Sequence, residues 1–296
     1  MDALIDFFRY ADMPAATENF ILSLRDKIAG DADFSDAMRR VRDGDKFSSV
    51  MDTLAEIGKK YGESEYSVFL LLLALSSPIM KKKYEDAGYS EEMYRGACRD
   101  ITYKSEECRK LLGKPGNRHP EWVQGFFDLH LFSLGRLQFE LSEFKYDSYE
   151  CAGAKISRGD KVINTHIPSS GPLLKEDCLD SYRRAHEFFN CRFNGMSAFV
   201  CSSWLLYEPY KEVFPKGGNT RSFTNTFDVI ENIPGKKFDD IWRVFSVTDC
   251  KDPDKLPEDT VMRRNFKEYI KSGGSFGYGY GIFLFDGEKI INHHGD

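Results

Sequence analysis

The feature that constrains this chain most is a change of periodicity at residues 113–121, GKPGNRHPE. Two prolines and two glycines fall within those nine residues, which reads as a loop and a candidate linker. Before it, apolar residues recur at helical spacing. Asp52, Leu54, Ile57 and Tyr61 open one such pattern and Gly62 interrupts it. Ser64 then precedes YSVFLLLLAL (66–75), a run that is apolar on every side from Val68 onward. Such a helix packs at the centre of a bundle, and the run is too short to cross a bilayer, which takes about 20 residues. Pro78 is expected to stop this helix or begin the next. Further amphipathic helix is expected in 89–112, with Ser90 as an N-cap.

After the loop the period becomes two. In RLQFELSEF, Leu137, Phe139 and Leu141 share one face, while Arg136, Gln138, Glu140 and Ser142 share the other. AKISRGDKVINTHI (154–167) reads as a hairpin around Arg158-Gly159-Asp160. SAFVCSSWLL (197–206) and DDIWRVFSV (239–247) read as strands, and GYGIFLFDGEKII (279–291) as a hairpin turning at Asp286-Gly287. Helices are expected at 174–190 and about 219–231. The expected fold class is therefore α+β: an all-helical N-terminal domain, 1–126, followed by a mostly antiparallel sheet flanked by helices, 127–296.

Composition narrows the function. The chain has 296 residues, of which 41% are hydrophobic, enough for a substantial core. A formal charge of -6 argues against nucleic acid as the main partner. Seven cysteines, an odd number without any CxxC, read as reduced thiols of a cytoplasmic protein. The acidic start, MDALIDFFRYAD, lacks the basic region of a signal peptide, and no membrane association is expected. Six histidines without HExxH spacing give no metal site.

The stretch 161–190 carries the functional question. A strand, the turn Ile167-Pro-Ser-Ser-Gly-Pro and a helix follow one another without spare residues. A helix N-terminus presents unpaired N–H groups and partial positive charge, and Ser169, Ser170 and Gly171 would let an anion approach it. The alternative is that Pro168 and Gly171-Pro172 only turn the chain. Glu176 and Asp177 complement the helix dipole by themselves, and Leu174, Cys178, Tyr182, Ala185 and Phe189 give the helix a packing face.

The order strand–loop–helix–strand–helix resembles the core of the GNAT acyltransferases. LGRLQFEL (134–141), HIPSSGPL (166–173), FVCSSWLL (199–206) and LPEDTVMRR (256–264) resemble a bacterial family that pairs an N-acyltransferase N-terminal domain with a GNAT-like C-terminal domain. The resemblance implies two central strands that splay apart, with the pantetheine arm of acetyl-CoA or another acyl-CoA in the gap. The pyrophosphate would then rest on Ile167, Ser169, Ser170 and Gly171. The usual loop of that fold carries Gln/Arg-x-x-Gly-x-Gly/Ala, and this chain departs from it. Asn219 either caps the second helix or, by resemblance, touches the cofactor arm.

Acyl transfer to an amine needs a polarised carbonyl, a base and a proton for the thiolate. His166 ends the first splayed strand and suits a base. Cys201 is a small core residue or a nucleophile partnered by His166. Tyr207 follows the second strand, where the fold often places a tyrosine acid. Glu140 shares a face with Arg136 and Gln138, lining a polar cleft or facing water. The glycines of GGSFGYGYGIF (273–283) lack a following helix and suit a strand crossed closely by another backbone or a flat ligand. The expected function is acyl-CoA-dependent N-acylation of a small-molecule or peptide amine. A non-catalytic GNAT-like binding module and a Cys/His acyl enzyme stay open beside it.

Overall fold

The computed structural model describes residues 3–294. Met1 and Asp2, which begin the acidic N-terminal stretch, lie outside them. The chain forms two compact units, Met1–Ser133 and Leu134–Asp296.

The first unit is helical: α1 Ala3–Ala11, α2 Ala15–Lys27, α3 Ala32–Arg42, α4 Met51–Tyr61, α5 Glu65–Asp86, α6 Glu91–Leu112 and α7 Pro120–Phe127. The apolar run makes α5 its centre, and every residue from Val68 to Ala74 is fully buried. Side chains that compete for backbone hydrogen bonds set the helix starts. Ser64 Oγ accepts from the Ser67 N–H at 3.1 Å, and Ser90 Oγ from the Met93 N–H at 3.4 Å. Gly62 and Gly113 close α4 and α6 in the left-handed region, at φ 66° and 78°. Pro78 lies inside α5, contrary to expectation. Proline cannot donate to the carbonyl four residues back, that of Ala74. Ser77 Oγ donates to that carbonyl instead, at 2.8 Å, so the helix continues.

The second unit is α+β. A short strand β1, Phe132–Leu134, straddles the division, followed by β2 Leu137–Glu143, β3 Ser148–Cys151, β4 Ala154–Ser157 and β5 Lys161–His166. Then come α8 Lys175–Phe188, β6 Ser197–Ser203, α9 Asn219–Thr224, β7 Asp228–Gly235, α10 Ile241–Phe245, α11 Val261–Lys271, β8 Phe276–Phe285 and β9 Ile290–Ile291. The main sheet runs β1-β2-β5-β6-β8-β7, with β9 beside β8. The pairs β2–β5, β6–β8, β7–β8 and β8–β9 are antiparallel; β5–β6 is parallel, with α8 as its crossover. On one face Phe139, Phe199, Phe283 and Phe285 pack around Tyr182 of α8. On the other, Val162, Val200, Ile282 and Leu284 pack against Phe144, Tyr149 and Ile156.

Three expected elements differ. Arg158-Gly159-Asp160 does not turn a hairpin: β4 pairs with β3 in a separate two-stranded sheet, and β5 pairs with β2. The corner is held by Phe144, whose N–H donates to the Asp160 carbonyl and whose carbonyl accepts from Gly159. The second helix ends at Thr224, and the chain becomes strand at Asp228 because β8 offers it an edge. Residues 241–245 are helical rather than extended; that period buries Ile241, Val244 and Phe245 together. The glycine-rich strand behaves as expected. A Cβ on Gly279 would lie 2.2 Å from the Leu206 carbonyl oxygen, so another backbone does cross β8 there.

Candidate active site

The parallel pair β5–β6 is short. It is registered at Ile163↔Phe199 and Asn164↔Val200. Beyond those positions β5 runs on to His166 paired with β2, while β6 runs on to Ser203 paired with β8. Each strand keeps its outer neighbour and loses its inner one. The inner edges thus present backbone N–H and C=O groups across a gap, and such groups need partners.

His166 stands on this gap. Its partner in β2 is Gln138, and Asn164 is opposite Glu140, so these four side chains share a face. The His166 Nε2 lies 2.9 Å from Glu140 Oε1. Asn164 Nδ2 donates to the same oxygen at 3.1 Å. Asn164 Nδ2 also lies 3.2 Å from His166 Nε2, so the carboxamide, the carboxylate and the imidazole form one polar cluster. His166 and Glu140 keep a path to solvent, at 23% and 29% exposure. This is the geometry of a base oriented by a third group.

Cys201 is placed otherwise. It follows Val200 and so lies on the Phe199 face, whereas His166 lies on the face of Asn164 and Val200. Strand alternation therefore keeps the two apart. Burial also pushes the Cys201 thiol up to about 12, so no thiolate forms at neutral pH. Tyr207 follows β6 as expected, but it is buried and its hydroxyl donates to Ser275 Oγ at 3.1 Å. Asn219 begins α9 without capping it; the N-cap is Gly218.

The loop after β5 carries Ile167, Ser169, Ser170 and Gly171 toward the start of α8. Gly171 has φ +115°, and a Cβ there would meet nothing within 4 Å. The N-cap position of α8, Leu174, gives the helix no side-chain hydrogen bond. A side chain from β2's approach also holds this loop. Arg136 donates from Nε to the Pro172 carbonyl at 3.0 Å, from Nη1 to Pro168 at 3.1 Å and from Nη2 to Gly171 at 2.6 Å. Its guanidinium fixes the curl of the loop and brings positive charge to it. The sequence shows Arg136 on the polar face of β2, but nothing in it joins that face to a loop 32–36 residues away.

Among the described residues, one cavity, of about 230 Å³, lies between α8 and α9; another, of about 300 Å³, lies beside the start of β7; a third, of about 390 Å³, lies at the β3–β4 turn. Among the described residues no group of three or more His, Cys, Asp or Glu could hold a metal ion. No described helix is long and apolar enough to cross a membrane.

A parallel pair that parts above its crossover helix, in a sheet ordered β2-β5-β6-β8-β7, defines the GNAT-like class of fold. The family follows directly. Residues 131–283 match the GNAT-like C-terminal domain and residues 2–129 the N-acyltransferase N-terminal domain, and the chain belongs to the family that joins them. Among solved structures, an acyltransferase in complex with decanoyl-CoA and teicoplanin is similar over 94% of this chain and 86% of its own, at 18% identity and TM-score 0.71. An acyltransferase in complex with CoA and 10C-teicoplanin is similar over 95% and 87%, also at 18% identity, with TM-score 0.72. At that identity the likeness is one of fold. No curated protein matches the chain.

Proposed function

We propose that this chain transfers an acyl group from an acyl-CoA to the amine of a small molecule. The observation that carries the reading is the parting of β5 and β6 after Asn164 and Val200. A thioester seated in that gap lies beside backbone N–H groups that can stabilise its oxyanion. The amine nitrogen attacks the carbonyl carbon, and His166, held by Glu140, takes the proton from nitrogen. The tetrahedral intermediate collapses with loss of the CoA thiolate, which takes that proton back. The products are an amide and free CoA. The loop of Ile167, Ser169, Ser170 and Gly171, braced by Arg136, receives the pyrophosphate. Cys201, Tyr207 and Asn219 have no step in this scheme.

The similar structures hold decanoyl-CoA, CoA and teicoplanin, which supports an acyl-CoA donor and a small-molecule acceptor. Isothermal titration with CoA and decanoyl-CoA tests the donor, and thiol release with a panel of amines tests transfer. Absence of binding at millimolar CoA overturns the proposal. Tight binding without turnover on any amine favours a binding module instead.

A further inference from the structure

Residues 290–294 border each of the three cavities, of about 230, 300 and 390 Å³. Ile290 and Asn292 line the one between α8 and α9, His293 and His294 the one beside β7, and His293 again the one at the β3–β4 turn. Four ties hold the segment. Ile290 and Ile291 pair with Phe285 and Leu284 of β8. Asn292 Nδ2 donates to the Thr226 carbonyl at 3.0 Å. The His293 N–H donates to the Asp228 carboxylate, at 3.1 and 2.9 Å from its two oxygens. The fourth tie is the His293 ring: Nδ1 lies 2.8 Å from Asp228 Oδ2, and Nε2 lies 3.0 Å from the Glu150 carbonyl.

Both partners of that ring can only accept. A neutral imidazole has one N–H and one lone pair, so it donates to one of them; the imidazolium donates to both. Asp228 calls for the same charge. It is 6% exposed, and a buried carboxylate is unfavourable without a counter-charge. Among the described residues its ion pairs are with His293 and, at 3.3 Å, with His294. Tyr149 donates its hydroxyl to the carboxylate, but a neutral donor brings no charge. The Tyr149 ring also meets the His293 ring edge-on, at 5.3 Å. Cys151, Glu150 and Lys155 share the cavity at the β3–β4 turn with His293, and the last two pair with each other at 2.8 Å. Glu208 and Lys211 line the cavity beside β7.

We propose that residues 290–294 form a proton-held strap along these cavities. The His293 imidazolium ties the segment to β7 and β3 at once, and loss of its proton breaks one of the two ties and loosens the strap. The device stands whether or not the acyl-CoA reading does. Histidine changes charge in the range from pH 5 to 8, so hydrogen–deuterium exchange of the full chain is followed at pH 6 and pH 8, with rates corrected for the intrinsic effect of pH. Protection of the amides of residues 290–293 should fall about two- to fivefold at pH 8, the range expected for a tie whose cation is 57% exposed. His293→Gln, which carries no titrating proton, should show equal protection at both pH values, and His294→Gln should keep the parent's fall. Nitrogen NMR of the parent at pH 6 should find both ring nitrogens of His293 protonated. Protection independent of pH in the parent, a fall that survives in His293→Gln or one that His294→Gln abolishes overturns the proposal. A neutral His293 ring at pH 6 overturns it as well, and that measurement needs no variant to fold.

Discussion

Gly279→Ala should unfold the second unit well before it disturbs any other part of the molecule. A Cβ at position 279 would stand 2.2 Å from the Leu206 carbonyl oxygen and 3.0 Å from the Leu206 Cβ, where ordinary contact begins at 3.4 Å. The backbone crossing β8 must retreat by about 1 Å, and it cannot turn aside as a flexible side chain would. Overpacking of this kind costs about 3 kcal/mol. For a unit of this size that corresponds to a fall in melting temperature of about 6–12 °C. The displaced turn, Trp204–Leu206, directly follows β6, so CoA affinity should fall as well. Gly235→Ala is the control, because its Cβ would sit 3.4 Å from the Lys237 carbonyl, an ordinary contact. Calorimetry of both variants decides. If they melt within about 1 °C of each other, the close crossing at Gly279 does not constrain the fold and the reasoning is refuted.

Other perturbations probe the site and the helical unit. His166→Ala should lower turnover about 10²–10⁴-fold and leave CoA affinity unchanged, as steady-state kinetics and titration will show. Glu140→Gln should lower turnover less, since the amide cannot hold the imidazole as the carboxylate does. Gly171→Leu should weaken CoA binding at least about tenfold, because φ +115° disfavours any side chain there and the approach would be filled; unchanged affinity would make the loop a mere turn. Iodoacetamide should label Cys201 far more slowly than the partly exposed Cys151, given a buried thiol pushed up to about 12; comparable rates by mass spectrometry would contradict its burial. In the helical unit, Lys60, then the Phe34 N–H, hold the Asp31 carboxyl at about 2. Its unfolded value is near 3.9. The stabilisation is therefore present above about pH 4 and lost as pH falls toward 2. Asp31→Asn should cost about 1–2 kcal/mol in urea unfolding at pH 7, the pairing with half-exposed Lys60 being lost, and little at pH 2.

The legible parts of the fold were those where one period persists. The run from Val68 to Ala74 declared the centre of the helical unit, and alternation around Phe139 and Phe199 declared two strands of the sheet. Short segments misled, because apolar β-formers serve a helix of 241–245 equally well once Ile241, Val244 and Phe245 can be buried on one side. Pro78 misled because its remedy, the Ser77 hydroxyl, lies next to it and carries no helix-forming signature. In the site, His166 and Glu140 were both visible as candidates, but their 2.9 Å contact depends on the β2–β5 register. The opposite facing of Cys201 needed the β5–β6 register as well.

That same short register divides the sheet mechanically. Two residue pairs cannot fix the distance between the β2–β5 ribbon and the β6–β8–β7 ribbon. What spans the two ribbons is an aromatic bolt: Tyr182 touches Phe139 on one side and Phe199, Phe283 and Phe285 on the other. The width of the cleft is therefore set by ring packing rather than by the hydrogen-bond ladder. Ring volume in the core becomes the natural place to open or narrow it.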